Sequence, residues 1–173
     1  RGGHAPDSLP LTRVLDVTRS EHEARIEHDA NAFARANKKA IARRLTDVAL
    51  YLPEENPVSV FMAGSPGAGK TEASIELLES IDGSPIIRID PDELRGEFPS
   101  YTGANAFLFQ KAVSILVEKV LDLALEQSQS FLLDGTLSNF EKARDNIARS
   151  LKRERLVQIL YVYQEPMQAW TFV

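Results

Sequence analysis

The sequence predicts an α/β fold in which helices flank a mostly parallel sheet, with a long amphipathic helix ahead of it. Before residue 53, apolar side chains recur at steps of three and four, which is typical of a helix with one apolar stripe. After residue 57, short runs of apolar and β-branched residues alternate with further helical segments. Strands that alternate with helices are joined by right-handed crossovers, so the sheet is expected to be parallel and covered on both faces.

The first part of the chain is predicted to comprise a tail over residues 1–19 and a helix over residues 20–52. Ser20 and Glu23 have the spacing of a capping box, and the segment Pro53–Pro57 ends the helix. An amphipathic helix must bury its apolar stripe, so we expect this one to pack on the core. The stripe consists of Ile26, Ala30, Phe33, Ile41, Leu45, Val48 and Leu52.

The remainder of the chain, residues 57–173, is predicted to form the α/β core. Ligands bind to such sheets beyond the carboxyl ends of the strands, and most of the candidate functional residues follow a predicted strand. The predicted strands are Val58–Ala63, Ile86–Ile89, Phe131–Asp134 and Val157–Val162. The predicted helices are Lys70–Ile81, Asn105–Gln127 and Ser138–Arg153, the last with a capping box at Ser138 and Glu141.

The first predicted strand runs into a glycine-rich loop that matches G-x-x-x-x-G-K-[ST] at every fixed position. Glycines allow the backbone to wrap round phosphate oxygens, and the helix that begins at Lys70 directs the positive end of its dipole at them. Lys70 is expected to contact the β- and γ-phosphates of ATP, and the Thr71 hydroxyl to ligate Mg²⁺. The predicted nucleotide-binding residues of this P-loop are Gly64, Ser65, Pro66, Gly67, Ala68, Gly69, Lys70 and Thr71.

Carboxylates follow the second and third predicted strands. Asp90 is suited to cap the next helix, whereas Asp92 is a candidate general base for a substrate hydroxyl near the γ-phosphate. Asp134 is placed like the acidic residue that helps to hold Mg²⁺ in P-loop enzymes, with an ordinary Asp-Gly turn as the alternative. Together with Lys70, these residues predict a small-molecule kinase.

Composition excludes several classes of protein and site. The 173 residues include no cysteine, so disulfides and thiolate metal sites are excluded. No apolar run approaches the roughly 20 residues of a membrane-spanning helix. The net charge of −5 argues against a broad nucleic-acid surface. Together with chemistry that consumes ATP, these features predict a cytoplasmic protein.

The three segments together resemble the zeta toxin family, the kinases of bacterial toxin–antitoxin pairs. The resemblance covers about Val58 to Val162 and rests on the P-loop, on Ile-Asp-Pro-Asp-Glu-Leu-Arg with the following Phe-Pro-Ser-Tyr, and on the Asp-Gly-Thr strand end. It implies a kinase that uses ATP and Mg²⁺ to phosphorylate UDP-N-acetylglucosamine. It also implies a partner, either an antitoxin protein or the N-terminal helix acting as an inhibitor in cis.

The resemblance further implies roles for individual residues. Asp92 occupies the position of the family's catalytic base, Glu118 that of a sugar-contacting glutamate and Thr136 that of a substrate-contacting threonine. Asp134 replaces a glutamate that is common there, and Ser138 stands where some members have arginine.

The family continues past its fourth strand into a lid whose arginines clamp the phosphates, whereas this chain ends at Val173, soon after that strand. We therefore expect the 173-residue chain to bind nucleotide but to transfer phosphate poorly. Two other interpretations remain. In the first, the chain is another P-loop hydroxyl kinase, for an antibiotic, a small sugar or a polynucleotide end. In the second, it is a non-catalytic module that binds nucleotide or antitoxin.

Overall fold

A sheet of parallel strands lies at the centre of the fold. The computed structural model describes residues 20–80, 85–135, 137–165 and 167. Its strands are β1 (Val58–Ala63), β2 (Ile87–Ile89), β3 (Phe131–Leu133) and β4 (Leu156–Tyr161). They are hydrogen-bonded in the order β2-β3-β1-β4, and each neighbouring pair is parallel, which confirms the predicted sheet.

The register of β3 aligns the ends of three strands. Phe131 lies opposite Ser59 of β1 on one side and opposite Ile87 of β2 on the other, and the pairing continues in step to the end of β3. Because parallel strands all run the same way, the segments that follow β1, β2 and β3 leave the sheet at one edge. Gly64, Asp90 and Asp134 are the first residues of these segments.

Helices cover both faces of the sheet. They are α1 (Glu21–Leu45), α2 (Lys70–Ser80), α3 (Pro91–Leu94), α4 (Gln110–Glu126) and α5 (Phe140–Leu151). On one face, Ala73 and Leu77 of α2 pack with Val60 and Met62. On the other face lie α4, α5 and, packed against α4, the long helix α1. No helix in the described ranges is long and apolar enough to cross a membrane.

The larger part of the core lies between the sheet and the helices α1 and α4. Phe61 and Phe131 are fully buried, and their rings meet edge to face with centroids 5.8 Å apart. On α1, the buried residues include Ala30, Ala34 and Ala42, whose small side chains allow close approach to α4. The stripe of α1 therefore packs on the core, as expected. Its main contacts, with α4 and the turn at 106–108, favour structural support over inhibition in cis.

The predicted end of α1 is wrong. The helix ends at Leu45 rather than Leu52, because the backbone of its C-cap, Thr46, leaves the helical conformation at φ −122° and ψ 34°. The hydroxyl of Thr46 donates to the carbonyl oxygen of Ala42 at 2.8 Å, beside the last helical amide bond at 2.9 Å. Val48 and Leu52 lie beyond this cap and are 47% and 53% exposed. The buried stripe is therefore shorter than the periodicity indicates.

Of the two capping boxes that the sequence predicts, the structure has the one at α1 but not the one at α5. The capping box of α1 is confirmed: Ser20 Oγ accepts from the amide of Glu23, whose carboxylate accepts from the amide of Ser20. The predicted box at Ser138 is wrong, because the side chain of Asn139 caps α5 by accepting from the amide of Lys142 at 3.0 Å. The side-chain oxygen of asparagine can accept from the third backbone N–H of a helix as well as a serine hydroxyl can.

Other boundaries differ by a few residues. β2 begins one residue later than predicted, β3 ends one residue earlier, and β4 is displaced by one residue. The predicted helix from Asn105 is a 3₁₀ turn at Ala106–Leu108 followed by α4. The predicted tail over residues 1–19 and the predicted helix end at Ile81 lie outside the described residues.

A buried arginine links the amino-terminal ends of the strands. Arg155 is 4% exposed, and its guanidinium group donates to the hydroxyl of Ser59 at 2.7 Å and to the carbonyl oxygens of Val58 and Gln129. It also lies over the ring of Phe131, 5.1 Å from the centroid. Burial lowers the pKa of Arg155 to about 10, so the group remains charged at neutral pH.

Replacing Arg155 with methionine is expected to lower the free energy of unfolding by about 2–3 kcal/mol, because two carbonyl oxygens and a hydroxyl lose a buried, charged donor. Chemical denaturation of Arg155→Met and the wild type measures the difference. Arg153→Met is the matched control: Arg153 is exposed in the preceding turn, and its loss should change stability by less than about 0.5 kcal/mol. Equal stability of Arg155→Met and the wild type would contradict the role of the buried cation.

Candidate active site

The P-loop connects the end of β1 to the start of α2 with the geometry of an anion-binding loop. Three of its glycines adopt positive φ angles, from 71° to 146°, which residues with a Cβ rarely adopt. The helix α2 begins at Lys70, as predicted, so its first amides have no partners within the helix and face the loop. A cavity of about 350 Å³ lies here, lined by residues 67–72 and Gln164. We call it the phosphate cavity.

Lys70 and Thr71 lie at the first turn of α2. The ammonium group of Lys70 donates to the carbonyl oxygen of Ser65 at 2.6 Å, so it lies against the loop backbone. Thr71 is exposed beside it. A phosphate group in the phosphate cavity would offer Lys70 a charged acceptor in place of a neutral carbonyl, which makes a stronger hydrogen bond.

The segment that follows β4 forms one wall of the loop. A Cβ at Gly64 would lie only 2.4 Å from the carbonyl oxygen of Val162, so a larger residue requires the backbone to move. The amide of Val162 donates to the carbonyl oxygen of Ala63 at 2.8 Å, which extends the pairing of β1 and β4 to the start of the loop. The edge strand β4 therefore helps to fix the position of the P-loop.

The two aspartates after β2 have different positions. Asp90 caps α3, as predicted: its Oδ1 accepts from the amide of Asp92 at 2.7 Å, and Pro91 occupies the first helical position. Asp90 is 7% exposed, whereas the side chain of Asp92 is 78% exposed and forms an ion pair with Arg95. Asp92 is thus accessible to a substrate at the edge of the sheet, and Asp90 is not.

Asp134 follows β3 and is 6% exposed. Its Oδ2 lies 2.6 Å from Nη2 of Arg88 and 2.8 Å from the hydroxyl of Ser74, and the same Nη2 lies 2.6 Å from Asp90 Oδ2. Burial raises the pKa of Asp90 even though a backbone hydrogen bond and the guanidinium charge oppose it. Burial disfavours the charge of Arg88, but its hydrogen bond to Asp134 and the surrounding carboxylates outweigh this and raise the pKa of Arg88.

The residues predicted to hold Mg²⁺ fit that ion. The hydroxyl of Ser74 lies 2.8 Å from Asp134 Oδ2 and 2.8 Å from the backbone carbonyl oxygen of Thr71, so Ser74 links Asp134 to the backbone of Thr71. Within the described ranges, no three acidic or histidine side chains form a ready-made metal site. Mg²⁺ usually binds through one or two carboxylates together with substrate phosphates. A hydroxyl and a carboxylate beside a P-loop suit an ion that arrives with a nucleotide.

A second cavity, of about 240 Å³, opens between α3, α4 and α5 next to the end of β3. We call it the acceptor cavity. Glu118 lies in its wall and accepts from Arg149 of α5 at 3.0 Å, while Arg95, in the turn after α3, and Lys142 of α5 also line it. The apolar part of its wall consists of Pro91, Val113, Val117, Leu133, Leu137 and Ala143, and the polar residues Gln110, Ser114, Ser138, Asn139 and Asn146 also line it. A groove of about 490 Å³, which shares Leu137 with it, leads to the P-loop.

The structure brings most of the predicted site residues to one edge of the sheet. Lys70, Asp92 and Asp134 each lie close to the carboxyl end of a different strand, and Glu118 lies in the neighbouring acceptor cavity. Thr136 lies outside the described residues.

Sequence reasoning missed three basic residues that contact the site residues or line the acceptor cavity, namely Arg88, Lys142 and Arg149. A charged residue within a buried apolar strand is unusual, so the position of Arg88 in β2 was a signal that could have been used. Lys142 and Arg149 lie on an amphipathic helix with several charged residues, where nothing in the pattern distinguishes them.

Comparison with known proteins gives both a family and a fold. The family model described as zeta toxin matches residues 41–173, well over half of the chain. No curated protein sequence matches significantly. Among solved structures, the chain is similar to one from the PezAT chromosomal toxin–antitoxin system of the human pathogen Streptococcus pneumoniae. The TM-score is 0.71 and the identity 18%, over 84% of this chain and 62% of that one.

The chain is also similar to one in a structure of a Pnkp1/Rnl/Hen1 complex, with a TM-score of 0.51 and 16% identity, over 68% of this chain and 39% of that one. At these identities the likeness shows the fold alone, and this chain spans less than two thirds of the length of either structure. The family match extends over the P-loop, α3 and the end of β3, which are the segments that form the site. The chain therefore belongs to the zeta toxin family.

Proposed function

We propose that this chain transfers the γ-phosphate of ATP to a hydroxyl group of UDP-N-acetylglucosamine, with Asp92 as the general base. The observation that carries the proposal is the presence of a P-loop and a separate acceptor cavity at the same edge of the sheet. Phosphoryl transfer depends mainly on holding nucleotide and acceptor side by side, because the protein has little covalent chemistry to perform. Membership of the zeta toxin family supports this choice of reaction.

The P-loop would hold the phosphates of ATP through its backbone amides and Lys70. The positive end of the α2 dipole adds to this attraction. Thr71 and Asp134 would hold Mg²⁺, which neutralises phosphate charge when bound.

Asp92 would remove the proton from the acceptor hydroxyl as its oxygen attacks the γ-phosphorus. The new P–O bond forms while the bond from the γ-phosphorus to the β–γ bridging oxygen breaks, and ADP leaves with the electron pair. Lys70 stabilises the charge that develops on this leaving oxygen. Arg95, the partner of Asp92, lies in the wall of the acceptor cavity, so the base adjoins the bound acceptor.

The acceptor cavity has the chemistry that a nucleotide sugar requires. Arg95 and Lys142 supply cations for the diphosphate, and the carboxylate of Glu118 can accept hydrogen bonds from sugar hydroxyls. The apolar part of the wall can pack against the rings of the ligand. The groove that leads to the P-loop gives the acceptor hydroxyl a route toward the γ-phosphate.

We also propose that a protein antitoxin binds this chain. Membership of the family supports such a partner, as does the similarity to a structure from a toxin–antitoxin system. Because α1 packs mainly on α4, the inhibitor is more simply a separate protein than this helix.

Mass spectrometry after incubation with ATP, Mg²⁺ and UDP-N-acetylglucosamine tests the proposed reaction. The expected product is the nucleotide sugar with one added phosphate group. A panel with an aminoglycoside, simple sugars and a polynucleotide end runs in parallel, and transfer only to one of these would assign a different acceptor. Because this chain is expected to transfer phosphate poorly, the incubation runs over many hours, and slow transfer counts in favour of the proposal. ATP binding with no transfer to any acceptor, even over that time, would indicate a non-catalytic binding module.

Asp92→Asn is expected to lower kcat about 10²- to 10⁴-fold, because the carboxamide cannot accept the proton from the hydroxyl. The dissociation constant for ATP should stay within about twofold, since Asp92 touches neither the loop nor the metal in this mechanism. Glu93→Gln, a neutralisation at the next position in the same turn, is the matched control and should retain wild-type kcat. Wild-type turnover by Asp92→Asn would exclude Asp92 as the base.

Glu118→Gln is expected to raise KM for UDP-N-acetylglucosamine about tenfold or more, because hydrogen bonds to a charged acceptor contribute about 1.5–3 kcal/mol. KM for ATP should not change. Asp122→Asn is the control, since Asp122 lies one turn along α4 and pairs with the same Arg149 but does not line the acceptor cavity. Equal effects of the two substitutions on KM would indicate a structural role of the ion pairs rather than substrate contact.

A further inference from the structure

Arg88 lies in the middle of β2, between two buried isoleucines. Its side chain is 12% exposed and lies on the sheet face that α2 covers, where it meets Ser74. A charged group in such a place loses hydration and is retained only where partners compensate for the loss.

The guanidinium group of Arg88 donates to acceptors on three different elements. Nη2 lies 2.6 Å from the carboxylates of both Asp90 and Asp134, and Nε lies 3.0 Å from the hydroxyl of Ser74. Nη1 pairs with Glu93, whose side chain is 68% exposed. One side chain thus connects α2, α3 and the end of β3.

These partners adjoin the groups of the proposed site. Ser74 lies one turn after Thr71 on α2. Asp90 caps the helix that carries Asp92. Asp134 is the carboxylate that would help to hold Mg²⁺. Arg88 therefore contacts the helix that follows the P-loop, the carboxylate of Asp134 and the cap of the helix that carries Asp92.

We propose that Arg88 is a positioning residue for Mg²⁺-dependent nucleotide binding, which holds the Asp134 carboxylate at a fixed place beside the first turn of α2. The inference rests on the proposed function, because it requires Asp134 to take part in holding Mg²⁺. Without Arg88, the carboxylates of Asp90 and Asp134 would face each other across the space that its Nη2 occupies. Like charges at such a separation repel strongly in a buried place, so Asp134 would move away from its position.

The proposal requires the geometry of arginine as well as its charge. A guanidinium group presents its donors in a rigid plane and can bridge several acceptors at once, whereas a lysine ammonium is a compact charge on a flexible stem. Arg88→Lys therefore keeps the charge but loses the fixed spacing between Ser74, Asp90 and Asp134. Arg88→Met removes both.

The test measures binding of a fluorescent ATP analogue with Mg²⁺ and with a chelator, in the wild type, Arg88→Met, Arg88→Lys and Glu93→Gln. The ratio of the two dissociation constants is the Mg²⁺ enhancement, which a mere loss of stability does not change. Arg88→Met should bind metal-free nucleotide within about twofold of wild type but lose about 10- to 100-fold of the enhancement, as is typical when a residue that orients a metal ligand is removed. Arg88→Lys should recover only part of it, and Glu93→Gln should resemble the wild type.

Unchanged enhancement in Arg88→Met would overturn the inference. An increase would also overturn it, because it would show that Arg88 only competes with the metal ion for Asp134. If Arg88→Met does not fold, Arg88→Lys decides: full enhancement there contradicts the need for a guanidinium group. A wild type without Mg²⁺-dependent ATP binding would overturn the proposed function and this inference together, whereas failure confined to the Arg88 variants concerns the inference alone.

Discussion

Backbone hydrogen bonds join β3 to β1 on one side and to β2 on the other, and they align the carboxyl ends of these strands. The chemistry-bearing residues lie within a few positions of those ends, so this pairing decides which of them meet. The amide of Asp134 donates to the carbonyl oxygen of Ile89 at 2.9 Å, which continues the ladder into the site. A slip of β3 by one residue would turn Phe131 out of the core and displace Asp134, so burial of the strand and position of the carboxylate are fixed together.

Ion pairs hold this edge of the sheet in place before any ligand binds. Fixed charges of this kind stabilise a transition state without reorganisation at the moment of reaction. Exposed pairs add little to stability, so what matters is where they lie rather than how many there are. These pairs join Arg88 to Asp90 and Asp134 behind the strand ends, and Arg95 to Asp92 and Arg149 to Glu118 at the acceptor cavity.

Features that depend on neighbours along the chain could be predicted from the sequence. The start of α2 at Lys70 and the cap of α3 by Asp90 are such features, and the structure has both. Contacts between distant residues could not be predicted, because no periodicity encodes them: Arg88 meets Asp134 across 46 positions, and Arg149 meets Glu118 across 31. The predicted end of α1 was wrong for a related reason, since the apolar pattern continues past Leu45 although the backbone leaves the helix there.

Binding of ATP and Mg²⁺ at the P-loop is tested most directly by titration calorimetry of the wild type and Lys70→Met. The hydrogen bond described for Lys70, to the loop carbonyl of Ser65, is exposed to solvent. Replacing Lys70 should therefore leave the unfolding temperature nearly unchanged. We expect saturable binding to the wild type and an affinity at least about tenfold lower in Lys70→Met, because a charged hydrogen bond to phosphate is lost. Equal affinities in the two proteins would contradict the P-loop as the nucleotide site.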